Sequence, residues 1–387
     1  MSYFHWIAGC ALGLVWLWRL TDAAAGVPKI ADISEAEWDR KPPGNPCVSI
    51  IVPACNEAAD IEATLTRLLA LDYDNYEVIA VDDRSSDRTG EIMETIAAAA
   101  PPGRLRVVHI TDLPPGWMGK PNAMWSASNL ATSDWLLFTD ADVLFKPDAL
   151  RRALAYAESQ RADHLVLFPR MIMKHAGERM MIAFFQTLFV FGHRPWKVAD
   201  PKTRDHMGVG AFNLIRRTVY ETLGTYQALR FDVLDDMKLG KVVKNAGYAQ
   251  RNVFGANLIS IRWARGAWGV VDNLTKNFFA IMSFQWPRAL AACFALVFLN
   301  LMPFAGIWLA HGWARLGYAL ALFSVFSIYV GMSRKSDIPP YYFVLHPVST
   351  LLFAYIMLRS TFLTLGRGGV VWRGTFYPLE ELRRGVV

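Results

Sequence analysis

Cys47-Val48-Ser49-Ile50-Ile51-Val52-Pro53 is an apolar run that halts at a proline, the pattern of a strand buried on both faces. Beyond it, Ile61, Leu65, Leu68 and Leu69 recur at helical spacing, with Asn56 as the expected helix cap. Tyr76 to Val81 predicts a second strand, ending in Asp82-Asp83, and a helix is expected from Asp87 to Ala99. Leu105 to Ile110 reads as a third strand and Gly119 to Leu130 as a helix. Trp135 to Thr139 follows as a fourth strand, running into Asp140-Ala141-Asp142. Pro147 opens another helix, and His164 to Phe168 makes a fifth strand. This alternation predicts an α/β fold with a mostly parallel sheet covered by helices. Such sheets bind ligands beyond the carboxyl ends of their strands.

Outside this core the composition shifts. Of 387 residues, 53% are hydrophobic and 19% charged, and the apolar excess gathers at the two ends of the chain. Residues 1–20 read as an N-terminal transmembrane helix, from Tyr3 to Leu20; a cleavable leader ending near Ala23-Ala24-Ala25-Gly26 is the other reading. Arg19 and Lys29 follow that helix, so the positive-inside rule places the next domain in the cytoplasm. Residues 21–46 are then a linker, 47–270 the α/β domain and 271–288 an interfacial amphipathic helix. Residues 289–365 form a C-terminal transmembrane cluster of two to three spans, and 366–387 a basic tail. The third stretch, Tyr341 to Leu365, is interrupted by His346, Pro347 and Arg359; if it spans, the tail is left outside. The expected location is the cell inner membrane, multi-pass, with the α/β domain cytoplasmic. The net charge of +6 is scattered, without a basic run, which argues against a nucleic-acid partner. Four cysteines without a CxxC pair give neither a disulfide framework nor a zinc site.

Three acidic pairs stand at the ends of expected elements: Asp82-Asp83, Asp140 with Asp142, and Asp235-Asp236, which opens a helix over 237–245. Asp140 and Asp142 are spaced i, i+2, so in extended chain both side chains point the same way. Two converging carboxylates suit a hard divalent cation, Mg or Mn, which commonly keeps substrate phosphates in its shell. Such a cation stabilises a departing diphosphate. Each pair also has a plain structural reading as a turn former or helix cap.

The stretches Val48 to Glu57, Val81 to Thr89 and Thr139 to Asp142 resemble, in order and spacing, the motifs of glycosyltransferase family 2. The resemblance implies a GT-A nucleotide-sugar-binding fold and transfer with inversion at the sugar. It implies that Pro53 and Glu57 lie at the nucleotide end of the first strand and that Asp83 hydrogen-bonds the base. Lys120 and Asn122 would line the donor pocket, with Asp140 near the ribose and metal and Asp142 binding the metal directly. Leu234-Asp235-Asp236 resembles the family's Glu-Asp motif, which makes Asp236 the expected general base and Asp235 its neighbour. Processive members carry Gln-x-x-Arg-Trp; here Ile259 stands at the Gln position before Arg262-Trp263. Trp263 and Trp268 either stack on sugar or acceptor, or anchor the chain at the bilayer interface.

The layout also resembles a lipid-directed branch of that family, which includes hopanoid-associated and carotenoid glycosyltransferases, down to a Trp372-Arg373-Gly374 segment near the C-terminus. The expected reaction is transfer from a nucleotide-diphospho-sugar to a hydroxyl of a membrane lipid or polyprenoid. The alternatives are a processive polysaccharide synthase and a non-catalytic membrane scaffold. The apolar stretch Glu178 to Trp196 reads either as a buried core helix or as an acceptor-side helix dipping into the membrane surface.

Overall fold

Val48–Ala54 (β1) is buried along its whole length, and the rest of a seven-stranded sheet is built on it. The computed structural model describes residues 2–385 and gives that sheet and a smaller companion nine further strands. They are Tyr76–Asp83 (β2), Leu105–Ile110 (β3), Trp135–Phe138 (β4), Val143–Phe145 (β5), His164–Leu167 (β6), Arg170–Met171 (β7), Asn213–Arg216 (β8), Gln250–Val253 (β9) and Ile259–Ile261 (β10). The large sheet has the order β3-β2-β1-β4-β8-β6-β9, and β5, β10 and β7 form a second, three-stranded sheet. All neighbours in the large sheet are parallel except β8, which runs antiparallel to both β4 and β6. The chain winds from β1 outward to β2 and β3, then returns to the other side of β1 with β4. That reversal makes the carboxyl ends of β1 and β4 the place where an open sheet leaves a crevice.

Alternate residues of β1 enter opposite cores, as the period of a strand demands. Val48, Ile50 and Val52 pack with Ile61, Leu65 and Leu68 of the helix Ile61–Leu69 and with Leu150 and Leu154 of the helix Ala149–Ser159. Ile51 packs on the other face with Ala123, Met124 and Ala127 of the helix Gly119–Ser128 and with Val243 of the helix Asp235–Asn245. The expected helix cap at Asn56 is not formed. Asn56 adopts a left-handed backbone, and its Oδ1 accepts from the backbone N–H groups of Ser86 and Asp87, at 2.8 and 3.3 Å. It therefore ties the loop after β1 to the loop after β2, and the helix starts four residues later, beyond Asp60.

The chain divides into two compact units. One comprises residues 30–172, 197–262 and 371–387 and contains both of these sheets; the other comprises 1–29, 173–196 and 263–370. The latter holds four helices long and apolar enough to cross a membrane, Tyr3–Lys29, Trp286–Leu309, Ala314–Ser333 and Pro340–Arg367. Helices Ser2–Gly26 and Ala314–Ser333 meet at Gly13 and Gly317, where a Cβ on Gly13 would lie 2.7 Å from the Gly317 carbonyl oxygen. Small residues permit that backbone approach in an apolar medium. The helix Ala176–Gly192 falls inside the range read from sequence as one catalytic domain, yet it packs in the helical unit. Its Met181 and Phe184 are buried with Val270, Val271 and Leu274 of the helix Gly266–Ile281 and with Phe353. That packing accounts for the apolar residues Met180, Met181, Phe184, Phe185 and Leu188. Of the C-terminal residues, 371–385 lie with the sheets; Gly369–Trp372 (β11) pairs with Thr375–Pro378 (β12).

Candidate functional site

Lys120 is where the acidic groups converge. It stands at the start of the helix Gly119–Ser128, and its Nζ lies 2.6 Å from Asp140 Oδ1 and 3.8 Å from Asp235 Oδ2. Asp140 follows β4, and its backbone N–H donates to the Gly210 carbonyl at 3.0 Å. Asp236, in the first turn of the helix Asp235–Asn245, accepts from the Gly210 N–H at Oδ2 (2.8 Å) and from the Met237 N–H at Oδ1 (2.7 Å). No side chain caps this helix at Leu234. Three elements thus deliver one ammonium and three carboxylates to a small space also lined by Phe138, Thr139 and Tyr226.

Burial lifts the carboxyls of Asp235 and Asp236, because a poorly solvated site disfavours charge. Burial raises Asp235 to about 7, against the opposing pull of Lys120, with Asp236 and Asp140 adding to the rise. Asp236 is raised in the same way, and Lys120 and the Met237 and Gly210 N–H groups hold it back. For Lys120 burial alone would lower the value, but Asp140, Asp235 and Asp236 outweigh it and keep the ammonium charged well above its ordinary range. Asp142 is pushed up to about 7 by burial and then by Asp140 and Glu57. Asp140, Asp142 and Glu57 therefore crowd negative charge at the ends of β1 and β4.

The remaining expected site residues fall into two groups. Pro53 lies in β1 just past the last β1–β4 pair, Ile51 with Phe138. Asp83, at the end of β2, is 4% exposed, and Arg84 holds its carboxylate at both oxygens, at 2.8 and 2.9 Å. Asp82 is engaged by His109 at 3.0 Å. Asn122 is buried, and its Oδ1 has no hydrogen-bond partner among the described residues, which is unusual for a buried amide. Arg262 follows β10 in the sheet unit. Trp263 and Trp268 belong to the helical unit: Trp263 lies against Phe185 with ring centroids 5.1 Å apart, and Trp268 is 65% exposed beside Tyr355.

Sequence reasoning did not single out the C-terminal hairpin as part of the site. Arg373 pairs with Glu57, the Tyr377 hydroxyl accepts from the Gly119 N–H at 3.1 Å, and Thr375 accepts from Arg84 at 3.2 Å. The sequence signal was the dipeptide Arg373-Gly374 between the alternating residues Val371-Trp372 and Thr375-Phe376-Tyr377, a hairpin pattern.

Residues 49–224 match the family model described as Glycosyl transferase family 2; the match ends before Asp235. A 4,4'-diaponeurosporenoate glycosyltransferase of Staphylococcus aureus (strain MRSA252) is 22% identical over 342 residues, 86% of this chain and 89% of the relative. The protein of the same name from Staphylococcus haemolyticus (strain JCSC1435) is 23% identical over 235 residues, 59% of this chain and 60% of the relative. Among solved structures, the mannosyltransferase PcManGT from Pyrobaculum calidifontis, in complex with GDP-Man and Mn2+, aligns over 93% of this chain and 99% of its own. The two are 20% identical and superpose with a TM-score of 0.55. That likeness establishes the GT-A-like fold.

The electrostatics of the cluster give a direct test. Removing the ammonium takes away the group that opposes protonation of Asp235, so Lys120→Met should move the Asp235 carboxyl from about 7 to a higher pKa. Carboxyl 13C NMR across a pH titration reads this shift; an unchanged or lower value would refute the cluster as drawn.

Proposed function

From a chain that carries a glycosyltransferase family 2 domain and is a glycosyltransferase, we propose an inverting transfer from a nucleotide-diphospho-sugar to a hydroxyl of a membrane lipid or polyprenoid. The observation that carries this reading is the Lys120, Asp140, Asp235 and Asp236 cluster at the carboxyl ends of the sheet. The nucleotide lies across the ends of β1 and β2, with Asp83 toward the base and Asn122 offering its unpaired oxygen. Pro53 ends the strand that supports the nucleotide. Asp236 is fixed by two backbone N–H groups and takes the proton of the acceptor hydroxyl as it attacks the anomeric carbon. Asp235 and Lys120 set the charge around that base.

The i, i+2 carboxylates Asp140 and Asp142, near enough for Asp140 to raise Asp142, offer oxygen donors that fit a hard divalent cation, Mg or Mn. Among the described residues no group of three or more His, Cys, Asp or Glu stands ready to hold a metal, so donor phosphate and water would complete the shell. When bound, the cation neutralises charge on the departing diphosphate. The acceptor class is supported by the four membrane-length helices and by relatives named for 4,4'-diaponeurosporenoate.

The same reading defines a topology. Residues 371–385 pack with the sheets through Arg373 and Tyr377, so an even number of crossings separates Arg262 from Val371. Trp286–Leu309 and Ala314–Ser333, joined by four residues, make that even pair. Pro340–Arg367, whose apolar window is 50% buried, does not cross. With Ser2–Gly26 as the first crossing, the sheet unit and the tail are cytoplasmic, on the inner face of the cell membrane. Arg334 and Lys335 then stand on the cytoplasmic side.

In a transfer assay with membrane lipid as acceptor, Asp236→Asn should slow transfer about a hundred- to ten-thousandfold. Its calorimetric donor affinity should equal that of the parent, and chelator should stop transfer by both proteins. Transfer by Asp236→Asn at the parent rate would place the base elsewhere. For topology, single cysteines at Gly312 and Glu380 are labelled in intact cells with a membrane-impermeant maleimide. Only the Gly312 position should react, and labelling at Glu380 would contradict the even crossing count.

A further inference from the structure

The hairpin β11–β12 turns on Arg373-Gly374, and both residues have positive φ, 50° and 79°. A two-residue hairpin with two such residues is a type I′ turn, which favours Asn or Gly at its first position, where Arg carries a steric cost. The hairpin is moored on the nucleotide side of the site: Arg84 donates to Thr375, and the Gly119 N–H donates to the Tyr377 hydroxyl. Arg84 is itself committed to Asp83. The moorings hold the Arg373 guanidinium at the rim, paired with Glu57 and 46% exposed. Its charge is felt at Cys55 together with those of Asp83 and Arg84. Arg373 is thus held on Glu57 by a hairpin whose Thr375 accepts from the Arg84 that grips Asp83.

A nucleoside diphosphate with its base at Asp83 and its metal-bound end at Asp142 must carry its phosphates past this point. The other cation of the cluster, Lys120, is engaged by Asp140 and Asp235. A guanidinium presents five donors in a planar fork, so a pairing with one carboxylate leaves donors for phosphate oxygens. We propose that Arg373 binds the diphosphate of the nucleotide-sugar donor, bridging it to Glu57, and that the C-terminal hairpin is part of the donor site. This rests on the glycosyltransferase reading above. Glu57 acts as a positioning residue, holding the Arg373 guanidinium by a direct ion pair.

The turn supplies a clean variant. Arg373→Asn creates the Asn-Gly dipeptide that type I′ turns favour, so the hairpin keeps or gains stability while the cation is lost. Full-length protein in detergent, with Mn2+, is titrated with UDP, GDP, dTDP and CDP by calorimetry, and with the matching nucleosides by saturation-transfer NMR. Arg373→Asn should weaken the diphosphate that the parent binds by about ten- to a hundredfold, the range of a hydrogen bond to a charged group. Nucleoside binding should be unchanged, the melting temperature equal or higher, and Arg373→Lys should fall between. Unchanged diphosphate affinity overturns the proposal, as does an equal loss for nucleoside and diphosphate, which would reduce the hairpin to a wall of the base pocket. A parent that binds none of the four diphosphates fails differently: it removes the glycosyltransferase reading and this proposal with it.

Discussion

The site depends on one ammonium, that of Lys120, drawing carboxylates from separate elements together: Asp140 at 2.6 Å and Asp235 at 3.8 Å. Lys120 comes from the helix after β3, Asp140 from the end of β4, and Asp235 and Asp236 from a helix far later in the chain. Two unit charges 4 Å apart interact by about 4 kcal/mol at the effective dielectric of a protein surface, so moving any of these elements is expensive. Burial first of all raises Asp235 to about 7, despite Lys120, and raises Asp142 to about 7 as well, with Asp140 and Glu57 adding to that rise.

Strand order explains why these groups can meet at all. β1 is flanked by β2 on one side and β4 on the other, so the chain segments leaving β1 and β4 diverge and open a crevice. The antiparallel β8 then brings the Gly210 loop to the same end, where its N–H fixes Asp236 and its carbonyl fixes the Asp140 backbone. One loop thereby couples the group expected to act as base to the group expected beside the metal.

The parallel half of this architecture was legible because β1 to β4 and β6 are apolar and separated by helices of ordinary periodicity. The short strands β5, β7 and β10 were not, since two or three residues carry no usable alternation. Asp140, Asp142, Asp235 and Asp236 were legible because paired acids at element ends are conspicuous. Asn56 was misread because its capping capacity is used on another loop, a choice made by tertiary contact rather than local propensity. Arg373 escaped for a related reason: it lies 316 positions from its partner Glu57, and no spacing rule reaches that far. The role of Ala176–Gly192 was open in sequence because a helix buried among helices and one dipping into lipid show the same apolar pattern.

Asp236 as a base, facing a diphosphate leaving group across the sugar, demands a single in-line displacement at the anomeric carbon. The most direct test is the configuration of the new glycosidic bond. One-bond and vicinal couplings of the anomeric centre, measured by NMR on the purified glycolipid, should show the configuration opposite to that of the donor. A product that keeps the donor's configuration would contradict the account at its centre.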